Sequence, residues 1–371
     1  MSKRLLVIED SKSIAAVIGK MASSLGFDIT YATSFAEVKA LIGNDEKFFC
    51  ATVDYSLPDA LNGEVIPFVI QNDIPSIVMT GHMDDTIHKK ILNLPIIDYV
   101  TKENSQAFHY LLRVLNGQLE NSKISVLVVD DSITAGNHVA QLLTRRNFTV
   151  FKADDSRTAL QVLNEHPEIK MAIIQERPHM NGVELTQNIR KSLVSEDLII
   201  IGISGADRNF QAARFIKSGA NDFLKKPFCQ EEFYCRVMHN IEKLKYIEEI
   251  KATANNDYLT GLFNRRHFVD RSTHLIENLN HANNSYMFIV LQIDRFKKIN
   301  DYYGYATGDQ TLLELAELLI EHFKGDLIAR LGGAEFGLLI ASKDVYNIES
   351  RLKAVLNIVQ EKTIKLEKTY S

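Results

Sequence analysis

Two octapeptides constrain this chain more than any other feature. RLLVIEDS at residues 4–11 and SVLVVDDS at residues 125–132 are near copies, each an apolar, β-branched run that closes on two acids and a serine before a helix-like stretch. Each is followed by further short apolar runs at helix-length intervals. In the first unit these are FFCATVDYSLPD, SIVMTGH and IIDYVTKE; in the second they are MAIIQERPHMNG, LIIIGISGA and DFLKKPF. Strand and helix alternating at this pitch predict a parallel sheet covered on both faces, built twice.

At 371 residues the chain is too long for one ordinary core, and two to three domains are expected. With 46% hydrophobic and 24% charged residues and no low-complexity tract, it reads as globular throughout. The N-terminal MSKRLLVIEDS is unlike a signal peptide, and no apolar run approaches a membrane span. Cys50, Cys229 and Cys235 are an odd set without metal-type spacing, which points to reduced thiols and a cytoplasmic protein. A net charge of −5 offers no basic face to a nucleic-acid backbone, so neither DNA nor a membrane is an expected partner. The histidines show no paired spacing and are expected at surface or boundary positions.

In a parallel sheet of this kind, polar residues at the carboxyl ends of neighbouring strands converge on one crevice. In the first unit these are Glu9, Asp10, Asp54, Thr80 and Lys102. Three gathered carboxylates repel one another unless a hard cation sits among them, and Mg2+ is the natural occupant. The set suits phosphoryl transfer onto one acid, with Asp54 as acceptor, Lys102 and metal neutralising the phosphoryl oxygens and Thr80 bonding to the product. Solvated acids at the strand ends of a flavodoxin-like fold are the plain alternative. These residues, with DYSLP as a D-x-x-L-P signature, resemble the response-regulator receiver family over residues 3–118. The resemblance implies a CheY-like fold, a histidine kinase or histidine phosphotransfer protein as partner, and Tyr99 as switch aromatic. Glu103 stands where that family usually has proline.

The second unit also resembles a receiver, but its chemistry fails a spacing test. Asp54 lies 44 residues beyond Asp10, and 44 beyond Asp131 stands Gln175. Ser204 and Lys226 keep the spacing of Thr80 and Lys102, and Asp130, Asp131 and the switch-like Phe223 remain. An amide cannot attack a phosphohistidine, and the adjacent Glu176 should face the other side of its strand. This unit is expected to be an adaptor.

Residues 231–257 carry Tyr234, Val237, Ile241, Leu244, Ile247 and Ile250 at helical spacing. The first half is expected to cover the second sheet, and a short stalk that pairs two chains is expected beyond Leu244. From Asp257 the motif DYLTGLFNRR, then LQIDRFKKINDYYGYATGDQTL, then RLGGAEF resemble in order the GGDEF family, diguanylate cyclases that condense two GTP into cyclic di-GMP. The resemblance implies guanine recognition by Asn300 and Asp309, and a phosphate loop around Phe296 and Lys297. Gly332 and Gly333 would turn a hairpin that approaches the nucleotide.

The metal acids of that family fare worse. Gln292 replaces the first aspartate of its D-x-D, and Ala334 stands at the acidic third position of the signature. Losing both anionic ligands removes most of the charge that draws Mg2+ out of water. Asp294, on the same strand face as Gln292, is the one residue around which a metal site would be rebuilt, while alternation is expected to point Glu335 away. The R-x-x-D inhibitory site reads FKGD, with Phe323 in the arginine's place and Asp326 retained. The family generally continues past KLEKTYS with a further strand and helix, so the chain is expected to end inside the fold with a sheet edge open.

The fold expected is α/β: two flavodoxin-like, doubly wound parallel-sheet domains followed by an α+β, nucleotide-cyclase-like GGDEF domain. The boundaries expected are 1–120 for the phosphoacceptor, 121–245 for the degenerate receiver, 246–256 for a helical linker and 257–371 for the degenerate GGDEF domain. The order resembles the PleD-type regulators. The function expected is a response regulator, homodimeric, phosphorylated on Asp54 and acting through an unidentified downstream protein, with GTP binding retained at most. The alternative is an active diguanylate cyclase.

Overall fold

The computed structural model describes residues 3–361, apart from 45, 82–83, 103–104, 178–180, 195–196, 206–209, 278–285 and 342–344. It forms two compact units, Met1–Glu242 and Lys243–Ser371.

The first unit holds two parallel sheets. In one, β1 (Arg4–Ile8), β2 (Asp28–Ala32), β3 (Cys50–Asp54), β4 (Ser76–Thr80) and β5 (Asp98–Thr101) lie in the order β2-β1-β3-β4-β5. In the other, β6 (Ser125–Val129), β7 (Thr149–Ala153), β8 (Ile169–Glu176), β9 (Ile199–Ser204) and β10 (Asp222–Lys225) repeat that order, counted from β6. Both are flavodoxin-like. Burial on both faces explains the unbroken apolar runs: Leu6, Ile8, Val53 and Val78 pack into one layer, while Leu5, Val7, Ile77 and Met79 pack into the opposite one. Because β1 and β3 are neighbours, as are β3 and β4, the acids after β1 and at the end of β3 face one crevice with Thr80.

The helix Gln230–Asn255 buries Phe233, Tyr234, Val237, Ile241 and Leu244 on one stripe, while Tyr246 and Ile250 are exposed. Phe233, which the spacing does not single out, is among the largest fully buried side chains.

The second unit carries a mixed sheet. β11 (Phe263–Asn264), β12 (Tyr286–Gln292), β13 (Leu327–Gly332) and β14 (Glu335–Ala341) lie in the order β11-β13-β14-β12, with β14 antiparallel to both neighbours. The expected hairpin joins β13 to β14. Gly332 and Gly333 take φ of 141° and 54°, conformations that any Cβ would strain. One sheet face packs Phe336, Leu338 and Ile340 against Leu312, Ala316, Leu319 and Phe323. The other packs Ala329 and Leu339 on Phe268 of the helix Arg265–Glu277. β12 forms one edge of the described sheet, and Phe288 and Val290 on it are exposed. The segment KLEKTYS, on which the expectation of an unfinished fold rests, lies outside the described residues.

Candidate functional site

The first crevice is a largely buried charge cluster. Glu9, Asp54 and Thr80 are buried at the ends of β1, β3 and β4, while Asp10 is exposed at the rim. Carboxylate oxygens of Glu9, Asp10 and Asp54 all lie within 4.8 Å of one another. The Lys102 ammonium sits 2.6 Å from Glu9 Oε2 and 2.6 Å from Asp54 Oδ2. Its position is fixed by chain geometry, since Lys102 N donates to the Thr80 carbonyl at the end of the β4–β5 pair. Burial, opposed by the hydrogen bond from Lys102 and reinforced by Asp54, raises the Glu9 carboxyl above its ordinary range. The remaining negative charge is what a hard divalent cation would neutralise, and a set of three oxygen ligands fits Mg2+. Glu103, the departure from the receiver pattern, lies outside the described residues.

Tyr99 is half-buried, and its hydroxyl reaches away from this pocket. It lies 3.2 Å from His88 Nε2 and 3.3 Å from Glu231 Oε1, and His88 Nε2 is itself 3.0 Å from Glu231 Oε1. Glu231 opens the helix that covers the second sheet, so Tyr99 of the first sheet is bonded to the second. Nearby, buried Asp98 at the head of β5 accepts hydrogen bonds from Tyr110 and from Arg146, which stacks 4.4 Å over the Tyr234 ring. Sequence reasoning identified Tyr99 but neither Glu231 nor the Asp98–Arg146 pair. A charged residue with a partner far along the chain leaves no periodic trace.

In the second crevice Asp130, Gln175 and Ser204 are buried and Asp131 is exposed. Lys226 Nζ is 3.8 Å from Asp130 Oδ2, a looser contact than its counterpart makes. Glu176 accepts a hydrogen bond from Val183 N.

In the second unit Asn300 lies in the helix Phe296–Tyr303 and Asp309 in the helix Tyr305–His322, Asp309 being exposed. Gly308 is forced by Asn300: a Cβ there would meet Asn300 Oδ1 at 1.8 Å and Phe296 Cζ at 3.2 Å. Asn300 Oδ1 is buried without a hydrogen-bond partner among the described residues, an acceptor suited to a base edge. Lys297, Gln292 and Asp294 are exposed, and Ala334 is half-buried with its carbonyl accepting from Ile293 N at 3.1 Å. Glu335 corrects the alternation reading. It is the register partner of Gln292 in the β12–β14 pair, so the two project from the same sheet face. Alternation along β14 alone cannot relate that strand to β12; only the cross-strand pairing does.

Among the described residues, no trio of ligand-type side chains like that in the first crevice occurs in the second unit. Phe323 is fully buried in the core, and Asp326 accepts from Arg351 at 2.6 Å, with the Arg351 guanidinium 4.5 Å over the Phe323 ring. Asp257, from the DYLTGLFNRR motif, accepts from Thr260 and Arg330, and Arg330 also donates to the Gly333 carbonyl. That motif therefore anchors the signature turn, a link the motif alone does not disclose.

Comparison with known proteins agrees with this architecture. The model of the response regulator receiver domain matches residues 126–238, and that of the diguanylate cyclase GGDEF domain matches residues 254–370. A crystal structure of a two-component response regulator/GGDEF domain protein is 31% identical, covers 66% of this chain and all of its own, and superposes with a TM-score of 0.59. The response regulator PleD of Caulobacter vibrioides is 26% identical over 239 residues, 62% of this chain and 52% of its own length. The diguanylate cyclase DgcM of Escherichia coli is 40% identical over 110 residues, 28% of this chain and 26% of its own. The match thus spans about half of the first relative's length. The chain belongs to the two-component response regulators that join receiver and GGDEF domains. Within them, two receiver folds ahead of a GGDEF domain make its arrangement PleD-type.

Proposed function

We propose that the chain is a phosphorylation-controlled response regulator whose GGDEF domain holds a guanine nucleotide without cyclising it. Residues 1–120 would receive the phosphoryl group, 121–245 would relay the signal, 246–256 would link and 257–371 would form the output. A carboxylate oxygen of Asp54 attacks the phosphorus of a phosphohistidine on a sensor kinase or phosphotransfer protein; the P–N bond breaks and the protonated imidazole leaves. Lys102, poised between Glu9 and Asp54, transfers its pairing to a phosphoryl oxygen, and Thr80 donates to another. Mg2+ held by Glu9, Asp10 and Asp54 would supply neutralising charge for those oxygens. The observation that carries the reading is the buried cation–carboxylate cluster, with three acidic ligands within 4.8 Å.

Tyr99 then leaves Glu231 and turns toward Thr80, shifting a two-state equilibrium at the receiver–receiver contact. Exposed Tyr246 and Ile250 on the linking helix would pair two chains in a homodimer. The output acts in the cytoplasm, through a downstream protein rather than DNA; no described helix is long and apolar enough to cross a membrane.

A second reading, an active diguanylate cyclase, is favoured by the register that sets Glu335 beside Gln292. Asp294, expected on the same strand face as Gln292, lies instead in the turn that follows β12, because the strand ends at Gln292. The test is incubation of the chain with GTP and Mg2+ or Mn2+, with and without acetyl phosphate. Nucleotide binding without cyclic di-GMP supports the first reading. Turnover lost on Asp294→Ala supports the second.

A further inference from the structure

The second receiver keeps two acids but lacks the acceptor, and the position of its spare positive charge explains how that pocket is held. Arg177 stands two residues after Gln175, where the first receiver has Ser56 two residues after Asp54. Its Nε lies 3.3 Å from Asp130 Oδ1 and 3.1 Å from Asp131 Oδ1. Asp130 Oδ1 also accepts from Ser132 N at 2.9 Å, while Lys226 approaches Oδ2 of the same carboxylate. Burial, and next the pull of Asp130 against the push of Arg177, leave the Lys226 ammonium easier to deprotonate than usual, as expected where two cations share one small pocket.

Charge balance separates the two crevices. Fully ionised, Glu9, Asp10 and Asp54 against Lys102 leave a charge of about −2, which one divalent cation cancels. Asp130 and Asp131 against Arg177 and Lys226 leave about zero. Arg177 Nε, buried and within ion-pair distance of both acids though it makes no hydrogen bond among the described residues, opposes a divalent cation by removing the charge that draws the ion out of water. Gln175 Oε1, buried and without a hydrogen-bond partner among the described residues, adds no charge to offset this.

We infer that Arg177 is the resident counterion of the second receiver and stands in place of the metal, so this pocket binds no divalent cation and stays in one electrostatic state whatever happens at Asp54. The inference rests on reading the second receiver as a non-acceptor, and goes further: restoring the acceptor alone will not restore the site. The arginine has to go as well.

The test uses the full chain carrying D10N and D54N, so that the first pocket contributes neither metal nor phosphoryl group. Mn2+ binding is counted by electron paramagnetic resonance of the free ion, and phosphorylation by acetyl phosphate is read on phosphate-affinity gels. With Q175D added, no Mn2+ site and no labelling are expected. With Q175D and R177S together, one Mn2+ per chain and labelling are expected, with affinity at least tenfold above that of Q175D alone. Equal binding by the two variants, or no binding by a double variant with an intact unfolding transition, would overturn the proposal. R177S without the restored acceptor gives a second readout: its unfolding midpoint should rise with added Mg2+ and that of its parent should not. A parent that responds to Mg2+ equally would also overturn it. The Asp54 reading survives either result, because Asp54 is absent from every chain tested.

Discussion

The phenol oxygen of Tyr99 lies 3.3 Å from the Glu231 carboxylate, so a side chain of β5, an edge strand of the first sheet, is held by the helix that covers the second. Burial, and after it the charge of Glu231, push the Tyr99 hydroxyl up to about 12. It therefore stays protonated and donates throughout the physiological range. His88 closes the triangle from the helix Asp85–Leu92.

If that contact restrains Tyr99, releasing it favours the phosphorylated form. Glu231→Ala should raise the extent or rate of Asp54 phosphorylation by acetyl phosphate by up to about tenfold, the equivalent of one charge-assisted hydrogen bond of roughly 1.5 kcal/mol. Phosphate-affinity gels against time measure it. Unchanged kinetics would mean that Tyr99 moves without reference to Glu231.

Asp98 and Arg146 form a buried ion pair within the first compact unit, their side chains 7% and 4% exposed. Arg146→Met leaves the buried Asp98 carboxylate with the Tyr110 hydroxyl and the Tyr99 N–H to bond it but no cation beside it. Denaturant unfolding should lose about 3–5 kcal/mol, and Asp98→Asn combined with Arg146→Met should lose clearly less than the arginine change alone. A purely additive pair of effects would show that the two groups do not depend on each other.

Asp257 tests pH. Burial raises its carboxyl, but hydrogen bonds from the Thr260 N–H and hydroxyl and then from Arg330 outweigh that and hold it below the ordinary range. A depressed acid contributes stability that is present above its unfolded value, about 3.9, and is lost as pH falls through the lower folded value. Asp257→Asn should therefore destabilise the GGDEF domain by about 1–3 kcal/mol at pH 7. The difference from the parent should close in acid, below about pH 4. Unfolding midpoints across that range decide it.

The proposed nucleotide site can be tested by charge. Gln292→Asp with Ala334→Asp returns two anionic ligands at the positions where the GGDEF family has its metal acids, and cyclic di-GMP synthesis from GTP should appear in the double variant at no less than about a hundredfold over the parent, roughly 2.7 kcal/mol of recovered transition-state stabilisation. Asn300→Ala in the parent should weaken GTP binding about tenfold, since its buried carbonyl oxygen has no hydrogen-bond partner among the described residues. Calorimetry of GTP binding and chromatography of the products are the measurements.

Much of this was legible in the sequence, for a physical reason. A strand buried on both faces has to be an unbroken apolar run, a crevice at strand ends has to be lined by the residues that follow those runs, and spacing within one repeat can be laid over the other. The two sheets, the Glu9–Asp10–Asp54–Lys102 cluster, the missing acceptor at Gln175 and the Gly332–Gly333 turn all follow from that local order. Only tertiary structure decided which charge meets which. Arg177 on Asp130 and Asp131, Glu231 on Tyr99, Arg146 on Asp98, Arg330 on Asp257 and Glu335 beside Gln292 are pairings across folded elements. A long polar side chain has no periodicity to betray its target; its partner is fixed by where the sheets and helices bring the two ends together and by the cost of leaving a buried charge alone.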